Sequence, residues 1–148
     1  MRIRAGCILI EDNRIALIER HRAGRHYFTF PGGGVDKGES HEAAAMREMQ
    51  EELGLHVRVI RKVAEVLFNG NPQPYFLVKT EAGEFGTGTG KEFGEYDPTR
   101  GTYHPMWMPI AEILEKNVVP RDLAKLVQRS AEEGWPDEMI VIFESSTG

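Results

Sequence analysis

Residues 33–55 read GGVDKGESHEAAAMREMQEELGL, and the fold is decided in this stretch. A glycine-rich loop follows Pro31 and gives way to a helix signal. Ser40 suits the N-cap, Glu42 places negative charge in the first turn, and Gly54 can take the left-handed position after the last turn. At 100° per residue, Glu48, Glu51 and Glu52 fall within an arc of about 100°. Met46, Met49 and Leu53 fall on the far side, where they are expected to seat the helix on a core. Ala44 lies one turn before Glu48 on the acidic face, and its small side chain leaves room there for an ion and a ligand.

Three glutamates on one face repel one another. Like charges at i and i+4, as in Glu48 and Glu52, destabilise an isolated helix by roughly 0.2–0.5 kcal/mol. Arg47 can reach Glu51 one turn on and relieves part of this. A bound divalent cation would relieve most of it, and oxygen ligands without a partnering His or Cys favour magnesium or manganese over zinc. Taken alone, the helix leaves a second reading open, a solvated acidic face.

The loop before the helix bears on that choice. Gly32, Gly33, Gly34 and Gly38 let the backbone turn tightly and approach a ligand, a carbonyl there can serve as a metal oxygen, and the amides can meet phosphate. The spacing is specific. Gly33 is followed after five residues by Glu39, and after seven more by Arg47-Glu48, then Met49, Gln50, Glu51-Glu52, Leu53, Gly54 and Leu55. This resembles the complete signature box of the Nudix hydrolase family, with every defined position matched.

The resemblance implies a loop–helix–loop that binds divalent metal, Mg2+ or Mn2+, and the substrate diphosphate. It implies Glu48 and Glu52 as principal metal ligands and catalytic carboxylates, with Glu51 as a further ligand or a partner by way of water. The Gly33 carbonyl becomes the backbone ligand, and Glu39 with Arg47 a structural ion pair that ties loop to helix. It also implies an α/β fold, an α/β/α sandwich with a central mixed β-sheet.

The remainder of the chain fits one domain spanning residues 1–148, long enough for a substantial core. A net charge of −5 argues against general binding to nucleic acid or anionic membranes. The single Cys7 precludes an internal disulfide, fits a reducing cytoplasm, and in its apolar run reads as a buried structural thiol. No apolar run reaches the length of a membrane helix and the N-terminus lacks a signal-peptide core. The expected setting is cytoplasmic.

Along the chain, residues 3–10 and 14–19 read as strands joined by a turn at Asp12-Asn13. His21, Arg22, Arg25 and His26 then form a basic stretch. Each reads as part of a solvated loop, and Arg25 is the candidate of the four for a forked phosphate contact. Residues 27–30, 56–68, 74–80 and 103–108 are expected as strands, and 138–143 as a last apolar strand or docking segment. Pro120 opens a helix to about Glu133, with Leu123, Leu126, Val127 and Ala131 as its buried stripe. The glycine-rich segment 81–101 is the longest polar stretch, and Glu92 or Glu95 could supply a general base or an additional metal ligand; each also reads as a solvated loop glutamate.

The expected function is a divalent-metal-dependent pyrophosphohydrolase acting on a small-molecule nucleoside diphosphate derivative. Aromatic residues at Tyr27, Phe28, Phe30 and Tyr75 suit a nucleobase, with Phe30 and Tyr75 as binding candidates, and favour a canonical or oxidised nucleoside triphosphate. ADP-ribose, nucleotide sugars and dinucleoside polyphosphates are the alternatives, as is a non-catalytic nucleotide sensor on the same fold. A homodimer is compatible with the sequence.

Overall fold

Asp12 and Asn13 both take positive φ, 52° and 60°, the backbone of a tight hairpin turn that short polar residues tolerate. The turn joins β2 (Ile10–Glu11) to β3 (Arg14–Arg22), and β1 (Arg4–Ile8) runs into β2 through Leu9. The computed structural model describes residues 3–88 and 101–144. The chain continues through β4 (Arg25–Thr29), β5 (Gly32–Gly34), α1 (His41–Leu53), β6 (Leu55–Phe68), β7 (Asn71–Gly83), β8 (Thr102–Pro109), β9 (Val118–Val119), α2 (Arg121–Glu133) and β10 (Ile140–Glu144).

These strands form two mixed sheets. One has the order β10-β6-β7-β1-β5, with β1–β7 and β6–β10 parallel and the other pairs antiparallel. The second has the order β2-β3-β4-β9, and β8 pairs with the free side of β3. The continuous run from β1 into β2 therefore passes from one sheet to the other.

Strand alternation assigns each residue to one of two cores. Ala5, Cys7 and Leu9 in the first run, Ala16 and Ile18 in β3, and Phe76 and Val78 in β7 pack with α1 through Ala44, Ala45, Met49 and Leu53. Their neighbours Ile8, Ile15, Leu17 and Tyr75 point the other way and pack with Leu123, Ala124, Leu126 and Val127 of α2. Helices on opposite faces of the strands make the expected α/β/α sandwich.

Both helices are rotated from the expected packing. In α1 the buried residues are Ala44, Ala45, Glu48, Met49, Glu52 and Leu53, whereas Met46 is 37% exposed. The acidic face is thus not opposite the core; Glu48 and Glu52 form one flank of the buried face. In α2, Ala131 is exposed, and Ala124 and Ser130 complete the stripe.

Candidate active site

The two buried glutamates of α1 stand over β5. Glu48 is 8% and Glu52 5% exposed, burial that a carboxylate tolerates only with strong partners. The Gly32 amide donates to Glu52 Oε2 at 3.0 Å, which fixes that carboxylate against the glycine strand. A Cβ added at Gly33 would overlap the Glu48 carboxyl group. The space a side chain would fill at residue 33 is occupied by the carboxylate of residue 48. Ser40 starts the helix by accepting from the Ala43 amide at 3.0 Å, and Gly54 ends it at φ 78°. The chain after β7 returns to this end, where the Gly86 amide donates to the Leu53 carbonyl at 2.9 Å.

Arg47 joins the loop to the helix. Its Nε and Nη2 donate to Glu39 at 2.8 and 3.0 Å, and Nη2 also donates to the Gly34 carbonyl at 2.9 Å. Its Nη1 donates to Glu48 at 3.0 Å and to Glu51 at 3.1 Å. Only a planar fork reaches all of these at once. The hydrogen bond to Glu39, followed by the charge of Glu48, holds the guanidinium still further above its already high proton affinity. One positive charge here faces Glu39, Glu48, Glu51 and, at 3.5 Å, Asp36, so the cluster stays net negative. The donor set is all oxygen and carries net negative charge, which fits a hard divalent cation.

A protein-family model described as the NUDIX domain matches residues 1–130. The chain belongs to the Nudix family. It is 31% identical over 132 residues to an RNA pyrophosphohydrolase of Shewanella loihica, covering 75% of this chain and 75% of that protein. Among solved structures it is similar to a Nudix hydrolase from Nitrosomonas europaea, with TM-score 0.70 and 21% identity over 97% of this chain and 79% of the other. It is also similar to an ADP-ribose pyrophosphatase from Streptococcus suis, with TM-score 0.66 and 16% identity over 97% of this chain and 98% of the other. These two likenesses concern the fold. With a Nudix domain and a relative named a pyrophosphohydrolase, the protein is a Nudix hydrolase, of a family that generally uses divalent metals and small-molecule nucleotide substrates.

Other candidate residues fall less close to the Nudix box. Phe30 and Tyr75 are 0% and 2% exposed and meet edge to face at 5.8 Å in the core beneath α2. Neither offers a ring face to a base, which corrects the expectation that they bind substrate. Burial also pushes the Tyr75 phenol above its ordinary pKa. Arg25 is exposed at the end of β4 remote from the glycine strand, over the Tyr27 ring at 5.2 Å. Glu92 and Glu95 lie outside the described residues. Cys7 is buried, its thiol donating to the Ala45 carbonyl at 3.5 Å. Burial, then the charges of Glu52 and Glu48, push that thiol above its ordinary range, as suits a structural cysteine.

An aromatic and cationic row on the α1 side of the second sheet is not foreseen from the sequence. Arg20, 7% exposed, lies over Tyr103 at 3.7 Å and Tyr27 at 5.9 Å. Phe85 stacks on Trp107 at 4.9 Å, with Arg14 over the same indole at 5.6 Å. The signal was present in the alternation of β3 and β8, but it emerges only once Arg20 is paired with Tyr103 and Ala16 with Trp107.

Proposed function

We propose that this Nudix hydrolase is a magnesium- or manganese-dependent pyrophosphohydrolase, acting in the cytoplasm as one domain over residues 1–148, that cleaves a nucleoside 5′-triphosphate. The observation that carries this reading is the seating of the Glu48 and Glu52 carboxylates over the glycine strand, with Gly33 leaving the space that Glu48 fills. In this reading Glu48, Glu52 and the Gly33 carbonyl hold the cation and Glu51 assists. When bound, the cation supplies charge neutralisation at the diphosphate and activation of the attacking water.

The chain's own residues perform the positioning. The Gly32 amide keeps one oxygen of Glu52 fixed, and Arg47 Nη1 bridges Glu48 and Glu51 and orients both. The Glu39–Arg47 pair holds the loop against the helix, so the backbone that receives the diphosphate does not have to reorganise on binding. The net negative cluster would attract a cation, and a cation held by these carboxylates would offset the charge of the substrate phosphates.

A second reading has an observation in its favour. The 31% identical relative is named an RNA pyrophosphohydrolase, and the β3–β4 hairpin exposes Arg22 and Arg25. The substrate would then be a triphosphate at the 5′ end of an RNA, which presents the same phosphates.

The test is hydrolysis of a panel with magnesium or manganese: nucleoside triphosphates, oxidised triphosphates, ADP-ribose, a nucleotide sugar, a dinucleoside polyphosphate and a 5′-triphosphorylated RNA oligonucleotide. Wild type is compared with Glu48→Gln and Glu52→Gln. We expect turnover of triphosphates that drops by at least about 1,000-fold in both variants, comparable to losing a major electrostatic contribution. Nucleotide binding without turnover of any compound would replace the enzyme by a sensor.

A further inference from the structure

The β3–β4 hairpin has two chemically different faces. Arg22 pairs with Arg25, Arg20 with Tyr27, and His21 with His26. Alternation therefore places Arg20, Arg22, Arg25 and Tyr27 on the α1 side, and Glu19, His21 and His26 on the α2 side. The contacts agree: Arg20 and Arg25 lie over Tyr27, whereas His26 packs on His21 and Phe28.

We propose that Glu19, His21 and His26 form a second metal site, separate from the Nudix box, for a zinc-class transition ion. Among the described residues, this is the group whose ligand atoms all lie within 4.8 Å of one another. The imidazoles stack at 4.2 Å with 5° between planes, and His26 Nε2 is 2.7 Å from Glu19 Oε2. A tetrahedral ion with bonds of ~2.0 Å needs ligand atoms ~3.3 Å apart and lies in the plane of each ring, so the two exposed imidazoles must unstack and tilt toward each other to close the site.

The donor chemistry separates this site from the box. Two imidazole nitrogens and one carboxylate favour zinc, nickel, cobalt or copper, whereas the all-oxygen box favours magnesium or manganese. The ligands stand on a paired hairpin, so the backbone is already placed and the ion would cross-link β3 to β4. Thr102 Oγ1, 3.5 Å from His21 Nδ1, can accept from that nitrogen and leave Nε2 for the ion. His104, paired with Glu19 in the β3–β8 register, stands on the same face one strand over and is the neighbour from which a fourth ligand can come. The three arginines point to the opposite face and do not oppose a cation here.

The experiment is calorimetric titration of zinc into the full chain in excess magnesium, repeated with cobalt to read its visible absorption. Wild type is compared with His26→Asn, His21→Asn, Glu19→Gln and the Glu48→Gln/Glu52→Gln double variant; circular dichroism verifies that each is folded. One equivalent of zinc is expected in wild type and in the double variant. Affinity is expected to fall at least tenfold in each hairpin variant, with loss of the cobalt band. Zinc binding that survives in His21→Asn and His26→Asn, that disappears in the box variant, or that is absent from wild type overturns the proposal.

Discussion

At Gly33 the lack of a side chain is what lets the Glu48 carboxylate lie against the strand. Gly33→Ala should displace that carboxylate and lower kcat about 100-fold, as a misplacement of the order of 1 Å does. Its thermal midpoint should move much less than its activity; steady-state kinetics beside a melting curve measures both. Cys7 makes a different prediction. Its thiol ordinarily ionises near pH 9.0, and burial raises this in the fold. The unfolded chain therefore loses that proton first. The contribution to stability is intact below pH 9.0 and declines as pH rises above it, by up to about tenfold in the unfolding constant per pH unit. Urea midpoints on either side of that pH should diverge more in wild type than in Cys7→Ala, which lacks the group.

Within α1, the Arg47 fork links loop, helix and carboxylates through five hydrogen bonds. Lysine can place one ammonium among these acceptors but cannot span them. Arg47→Lys should cost about 1–2 kcal/mol after allowance for solvent screening at this partly exposed site, measured by chemical denaturation. The ends of this helix were legible in the sequence because Ser40 and Gly54 act through local geometry. Its orientation was not. A helical wheel sorts residues by polarity and sends Glu48 and Glu52 outward with Met46 inward. Burial of the two carboxylates depends on a glycine strand that offers an amide and empty space, information that lies in tertiary pairing. The same limit explains Phe30 and Tyr75: aromatic composition does not reveal that Gly6 leaves the space the Tyr75 ring fills, nor that this ring packs against Phe30 in the core.

At the scale of the molecule, alternation along β1, β3 and β7 divides the interior into two cores, one under each helix. Leu53 lies in the first and Leu126 in the second, at 0% and 2% exposure. Truncation of either to alanine should cost about 2–5 kcal/mol. In the double variant the losses should add within about 0.5 kcal/mol, because the sites share no packing partner; denaturant unfolding of the four-member cycle tests this. The sandwich itself was legible from strand and helix alternation together with the box, whereas the split into two mixed sheets required the pairings of β8 and β9. The parity of β3 also constrains how this chain can be lengthened. Insertion of a single residue after Ile18 would turn Arg20 toward α2 and His21 toward α1, parting Arg20 from Tyr27 and His21 from His26, which keep their faces on β4. The hairpin can be extended or shortened only in pairs of residues if each surface is to keep its character, so the chain carries a counting rule that no individual side chain encodes.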